Sequence, residues 1–157
     1  MTMHQNIHQL HRLIHINKDA DAGFRTAAEN VKNSEIQSLF VKYADAHAKF
    51  SAELESEIDR LGDTEPADSG TLGGAVYRGW MDVKAALTGH SISSMLTACQ
   101  SGEQSAESAY LDVIKLIPHG QTHTILEKHR EQIQAFHKRL TRLVGELKDG
   151  VEFQTNA

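Results

Sequence analysis

Four polar residues interrupt the apolar stripes of the long helical segments that the sequence predicts. They are Asp21, His47, Glu103 and His137, one in each segment. Two carboxylates and two imidazoles that face one helical core are ligand types suited to iron or zinc. The pattern therefore indicates one of two arrangements at mid-bundle. The four residues form either a metal site or a structural layer, in which the same groups bond one another.

The segments that carry these residues are predicted to be helices, because apolar residues recur every three to four positions. They cover about residues 4–31, 34–61, 92–117 and 122–147. Good helix formers dominate the composition and only two prolines occur, which favours an all-α chain. Short links join the first helix to the second and the third to the fourth, so each pair is expected to form an antiparallel hairpin.

A long connection, residues 63–90, separates the two predicted hairpins. It opens with the loop-forming stretch DTEPADSG and continues into a glycine-containing amphipathic stretch, predicted to be a short helix that ends near Leu87. A connection of this length can run the full length of a bundle, which would make the second and third helices parallel. Residues 1–150 are then expected to form a single domain, with residues 151–157 as a flexible tail.

Parallel second and third helices would bring the four polar residues to one level of the bundle. Counted from the end where the first helix starts and the third finishes, each lies about 24 Å along its axis, at about 1.5 Å per residue. If the layer is structural, Asp21 is expected to pair with His47, and Glu103 with His137.

Three neighbouring polar residues extend this layer. Asn17 lies one turn before Asp21, and Gln134 lies three positions before His137. Their amides would complete a buried hydrogen-bonded network around the two couples. Glu107, one turn after Glu103, is a further candidate metal ligand.

The chain resembles a known family over nearly its whole length, from His8 to about Leu147. The stretches DADAGFRTAAENV, AHAKFSAELESEIDRLG, GWMDVKAALTG and SGEQSAESAYLDVI are similar to a bacterial family of small ferritin-like bundles known as a domain of unknown function. The resemblance implies a ferritin-like four-helix bundle with a long crossover between its hairpins. It implies no established activity, and the character of the wider family implies a stress-related role.

Compared with the di-iron pattern of the ferritin-like fold, the sequence lacks carboxylates. Di-iron members carry a Glu on two helices and a Glu-x-x-His motif on each of the other two. The corresponding positions here read Asp21, Ala44-x-x-His47, Glu103 and Gln134-x-x-His137. Two iron ions would face only two negative charges in a low-dielectric core. A ferroxidase centre is therefore not expected, whereas a single iron or zinc ion is compatible with the residues.

Histidines form a second pattern near the start of the chain. His4, His8, His11 and His15 step by four, three and four along one face of the first predicted helix. Imidazoles four residues apart can chelate a transition metal. No carboxylate accompanies them, which favours a solvated stripe.

Composition limits the expected setting and partners. The formal charge is −5, from 16 basic and 21 acidic side chains that are interspersed, which argues against nucleic-acid binding. No stretch approaches the roughly 18 apolar residues of a membrane span. The single cysteine, Cys99, suits a reducing cytoplasm and is expected in the core.

A homodimer is the expected assembly. The two functional hypotheses are a non-catalytic bundle and an oxygen-handling metal protein.

Overall fold

The computed structural model describes residues 2–62 and 91–148, which form four long α-helices. The helices are α1 (Met3–Glu29), α2 (Ser34–Arg60), α3 (Ile92–Leu116) and α4 (Gly120–Lys148). No strand occurs in these two ranges. The all-α four-helix prediction is confirmed, and each helix end falls within two residues of its predicted position. The predicted crossover helix and the predicted tail lie outside the described residues.

Local sequence explains where the helices start and stop. The side chain of Asn33 caps α2 by accepting a hydrogen bond from the backbone N–H of Ile36, at 3.0 Å. Asn33 has the extended backbone that a capping residue needs. Gly62 and Gly120 have φ of 92° and 97°, a conformation that glycine adopts without a steric penalty. They follow α2 and begin α4.

The first hairpin, α1 with α2, is antiparallel. Near the end of α1, Arg25 bonds Asp45 of α2 at 2.8 Å. Nearer the start of α1, the carbonyl of Ile14 accepts a hydrogen bond from Ser51, which lies later in α2. Residues earlier in α1 therefore contact residues later in α2, which is the antiparallel arrangement that the short link between the two helices predicted.

The second hairpin, α3 with α4, is antiparallel too. Gln100 donates to Thr141, whereas Tyr110 bonds His129. The ring contacts between α2 and α4 also run in opposite order along the two helices. Because α3 and α2 are both antiparallel to α4, they are parallel to each other. Helix α2 therefore ends at one end of the bundle and α3 begins at the other, as predicted.

The core of the bundle is apolar at both ends and aromatic in the middle. The rings of Phe24 and Tyr43 meet edge to face, with centroids 5.5 Å apart, and Tyr43 stacks on Phe136 at 4.1 Å. Contacts between α1 and α3 join the hairpins, while α2 and α4 touch only sparsely. Polar side chains lie buried within this aromatic zone. None of the helices in the described ranges has the length and apolar character to cross a lipid bilayer.

Candidate functional site

The structure brings together two of the four predicted layer residues. The Nε2 atom of His47 lies 2.8 and 3.1 Å from the two carboxylate oxygens of Glu103, and both side chains are 0% exposed. Asp21 instead accepts a hydrogen bond from Arg25 at 2.7 Å, and its side chain is 27% exposed. The predicted couple of Asp21 with His47 is wrong. Asp21 lies about 100° around the axis from the buried neighbour that precedes it, so it points away from the core.

His137 pairs with Glu107, so the predicted couple of Glu103 with His137 is also wrong. The Nδ1 atom of His137 lies 3.1 Å from Oε2 of Glu107, and the two side chains are 22% and 15% exposed. Both border an open cavity of about 530 Å³ on the flank of α3 and α4. Gln134 lines the same cavity, so it does not extend the buried layer as predicted.

The orientation of Asn17 places a proton on His47. The Asn17 amide nitrogen donates to the carbonyl of Leu13 at 2.9 Å and to the hydroxyl of Tyr110 at 2.7 Å. A carbonyl only accepts, so the amide cannot be turned round. Oδ1 of Asn17 then lies 2.7 Å from Nδ1 of His47, which must donate. The second proton of the pair is shared between Nε2 of His47 and Glu103, as an imidazolium with a carboxylate or as a neutral imidazole with a carboxylic acid.

Tyr110 carries the chain of hydrogen bonds across to α4. Because its hydroxyl accepts from Asn17, its own proton is donated to Nδ1 of His129, 2.9 Å away. His129 is then neutral, and its Nε2–H donates to Oε2 of Glu53 at 3.0 Å. Burial lowers the pKa of His129, although the bond to Glu53 opposes this shift. Burial raises the pKa of the Tyr110 phenol.

These hydrogen bonds form one continuous chain from the centre of the bundle to its surface. We call it the buried network; its members are Glu103, His47, Asn17, Tyr110, His129 and Glu53. All four helices contribute to it. Glu53 is the partly exposed end, and the other members are buried. Every bond from His47 to Glu53 has one assigned direction, and each buried polar group of the network has a partner, which is what a fully satisfied polar core requires.

Aromatic rings enclose the two buried imidazoles. His47 stacks on Phe24 with centroids 5.9 Å apart and meets the edge of Phe50 at 5.5 Å. Phe50 also stacks on His129, at 4.3 Å. Burial, with the nearby Glu103 carboxylate, raises the pKa of Tyr43 to about 12. The enclosure creates a low-dielectric site, in which hydrogen bonds are strong and an unpaired polar group is costly.

A family model described as "Domain of unknown function (DUF2383)" matches residues 5–116, which cover nearly all of α1 and the whole of α2 and α3. The chain belongs to this family. The matched range includes Asn17, His47, Glu103 and Tyr110, whereas His129 lies beyond it on α4. A search of curated proteins finds no match to the chain.

In this DUF2383 protein, the buried mid-bundle residues His47 and Glu103 contact other protein groups. Within residues 2–62 and 91–148, no group of three or more His, Cys, Asp and Glu side chains could hold a metal ion. Both ring nitrogens of His47 and both oxygens of Glu103 are engaged in hydrogen bonds to protein groups. Ala44 and Gln134, which take the glutamate positions when the sequence is compared with the di-iron pattern, carry no carboxylate. The contacts that the structure shows for these two side chains are therefore hydrogen bonds to protein groups.

The structure also shows where Cys99 and the N-terminal histidines of this family member lie. Cys99 is buried one turn before Glu103, so the prediction of a core residue is confirmed. Burial, with the charge of Glu103, raises the pKa of its thiol, which makes the sulfur a poor nucleophile. In the histidine stripe, His4 and His8 are exposed at the start of α1, while His11 and His15 are half-buried.

Sequence reasoning missed three members of the buried network. His129 lies three residues after Leu126 and four before Ile133, so the helical spacing already placed it on the buried stripe of α4. Tyr110 has the spacing of the buried stripe of α3, but spacing does not predict the partners of its hydroxyl. Glu53 lies beside His129 because α2 packs against α4, and the sequence of α2 alone does not show this contact.

Proposed function

We propose that this protein is a non-catalytic, ferritin-like bundle in which the buried network replaces a metal-binding layer. The observation that supports the proposal is the orientation of Asn17, which commits Nδ1 of His47 to donating a hydrogen bond. The other ring nitrogen shares a proton with Glu103. A histidine engaged at both nitrogens has no free lone pair for a metal ion. The layer is then structural, and it ties four helices together.

In this proposal the cellular role belongs to the surfaces of the bundle. The protein would act as a binding module, and the resemblance to ferritin-like proteins supports a stress-related setting. The single cysteine supports a cytoplasmic location. We also propose a homodimer, to be tested by size-exclusion chromatography with light scattering. A mass of twice the 17.4 kDa chain is expected, and the mass of one chain would contradict the dimer.

Metal content tests the central claim. Untagged protein is purified from cells grown with added iron and zinc, beside a Glu103→Gln variant, and each is analysed by elemental mass spectrometry. Much less than one ion per chain is expected in both proteins, and a chelator should leave the unfolding temperature unchanged. About one ion per chain in the parent, lost in the Glu103→Gln variant, would refute the proposal that the buried layer is structural.

A second candidate function is favoured by the partly exposed pair of Glu107 and His137. This pair borders an open cavity together with the amides of Gln104 and Gln134. A carboxylate, an imidazole and an amide oxygen can serve as ligands of a single iron or zinc ion, with positions left for oxygen. If this reading holds, His137→Ala alone abolishes metal binding, whereas Glu103→Gln leaves it intact.

A further inference from the structure

A second fully buried carboxylate, Glu57, lies near the end of α2, beyond the buried network. Its side chain is completely shielded from solvent. The Nε–H of Arg60 donates to one of its oxygens, Oε1. The other oxygen, Oε2, is buried and has no hydrogen-bond partner among the residues that the structure describes. A buried carboxylate oxygen without a hydrogen-bond donor lowers the stability of the fold. Glu57 could therefore accept one more hydrogen bond at Oε2.

An open cavity of about 440 Å³ lies beside this carboxylate, between α2 and α4. Its volume is within the range of small-molecule sites. Glu53 and Glu57 both line it, as residues four apart on one helix face would. Ala52 and Ile125 add apolar surface. The cavity therefore combines an apolar wall with two carboxylates, and one of these, Glu57, has an oxygen that lacks a hydrogen-bond donor.

We propose that this cavity binds a small alkylammonium compound, whose N–H groups donate to Oε2 of Glu57 and to Glu53. A primary ammonium group has three donors and no acceptor, and a charge-assisted bond to a carboxylate is stronger than a neutral one. Two cations already lie at the cavity: Lys49, 3.9 Å from Oε1 of Glu53, is 77% exposed, and Arg60, bonded to Glu57, is 47% exposed. Water screens their charge, so they oppose a bound cation only weakly. A short alkyl chain would lie against Ala52 and Ile125.

Glu53 links this proposed site to the buried network. Its Oε2 accepts from Nε2–H of His129, so a ligand that donates to Glu53 competes for the same carboxylate. The ring resonances of His129 should shift when the cavity is filled. This readout is separate from any metal chemistry, and the proposal does not depend on whether the chain binds metal.

The test is a titration of the full chain with n-butylammonium chloride, followed by the histidine ring signals in NMR spectra at constant pH and ionic strength. Saturable binding with a dissociation constant of about 10 mM or lower is expected, in keeping with the efficiency limits of small ligands. Glu57→Gln should weaken binding by roughly tenfold, since a neutral amide replaces the buried charge. Glu53→Gln is a second variant that should weaken it as well.

Three controls separate the proposal from its alternatives. Glu107→Gln changes a partly buried glutamate at the other cavity, between α3 and α4, and this variant should bind the probe as the parent does. n-Butanol carries the same alkyl chain without the charge, and equal binding of the alcohol would reduce the site to an apolar groove. Competition by Mg²⁺ at the same concentration would reassign the carboxylates to a divalent cation. Either result, or no binding of n-butylammonium, overturns the proposal.

Discussion

Substitutions of Glu103 and of His47 are expected to lower the free energy of unfolding by very different amounts, because they leave different polar groups buried without a partner. His47→Leu leaves a fully buried carboxylate without its imidazole, and removing one partner of a buried pair costs roughly 3–5 kcal/mol. Glu103→Gln leaves a pair that can still bond. Asn17 keeps the proton of His47 on Nδ1, so Nε2 becomes an acceptor for the N–H of the new amide. The expected loss is about 1 kcal/mol.

The double variant His47→Leu/Glu103→Leu should be more stable than His47→Leu alone. Replacing both members of a buried ion pair by apolar residues is often neutral or stabilising. Here Oδ1 of Asn17 also loses its donor, which adds a cost of roughly 1–3 kcal/mol. The assays are urea unfolding, which gives the free energy of unfolding, and thermal unfolding, which gives the melting temperature. Both are followed by circular dichroism at one pH. For a chain of this length, 1 kcal/mol lowers the melting temperature by about 2–4 °C, so His47→Leu should lower it by roughly 6–20 °C.

Glu107→Gln is the matched control for these measurements. It makes the same chemical change on the same helix, one turn later, in a pair that is partly exposed. Pairs near the surface contribute about 0–1 kcal/mol, so this variant should be nearly as stable as the parent. A Glu103→Gln protein as unstable as His47→Leu would refute the proton placement inferred from Asn17. So would a double variant no more stable than His47→Leu alone.

Three further results are expected from buried groups. Tyr110→Phe removes the donor to His129 and the acceptor of Asn17, so denaturant unfolding should show a loss of roughly 1–3 kcal/mol; a loss no larger than that of Glu107→Gln would contradict these bonds. Because burial lowers the pKa of His129 in the folded state, the unfolded chain takes up this proton first as the pH falls below the ordinary value of 6.5. The contribution of His129 to stability should be complete above that pH and decline below it, and His129→Gln should flatten this part of the profile. Cys99, buried and with a raised pKa, should react with an aromatic disulfide reagent only in denaturant, and rapid labelling of the folded protein would contradict its placement.

The fold could be predicted from the sequence because it depends on apolar periodicity. The stripes fixed which segments are helical, and the short links fixed which neighbours are antiparallel. Depth along the bundle was also predicted for His47 and Glu103, which do meet. A count of residues along each axis was sufficient for this, since an error of one residue moves a side chain by only about 1.5 Å.

The pairing of polar groups could not be predicted, because it depends on rotation about each helix axis. One residue corresponds to about 100° of rotation, so a step of four leaves two side chains about 40° apart around the axis. Asp21 and the buried Asn17 therefore have different surroundings although one turn separates them. His137 lies on the edge of its stripe and reaches Glu107 at the surface. The link from Tyr110 through His129 required side-chain conformations as well as helix positions. Sequence spacing contains no information on those conformations.

The buried network also limits how the helices can slide along one another. Apolar seams of similar side chains can shift by one turn, about 5.4 Å, and still find apolar partners. Hydrogen bonds tolerate no such shift, since they weaken steeply within a few tenths of an ångström of their normal length. With members on all four helices, the network would lose its interhelical bonds in a shifted packing and leave several polar groups buried without partners. The polar layer therefore selects a single register for the bundle, a role for which buried polar residues in coiled coils are the best-attested precedent.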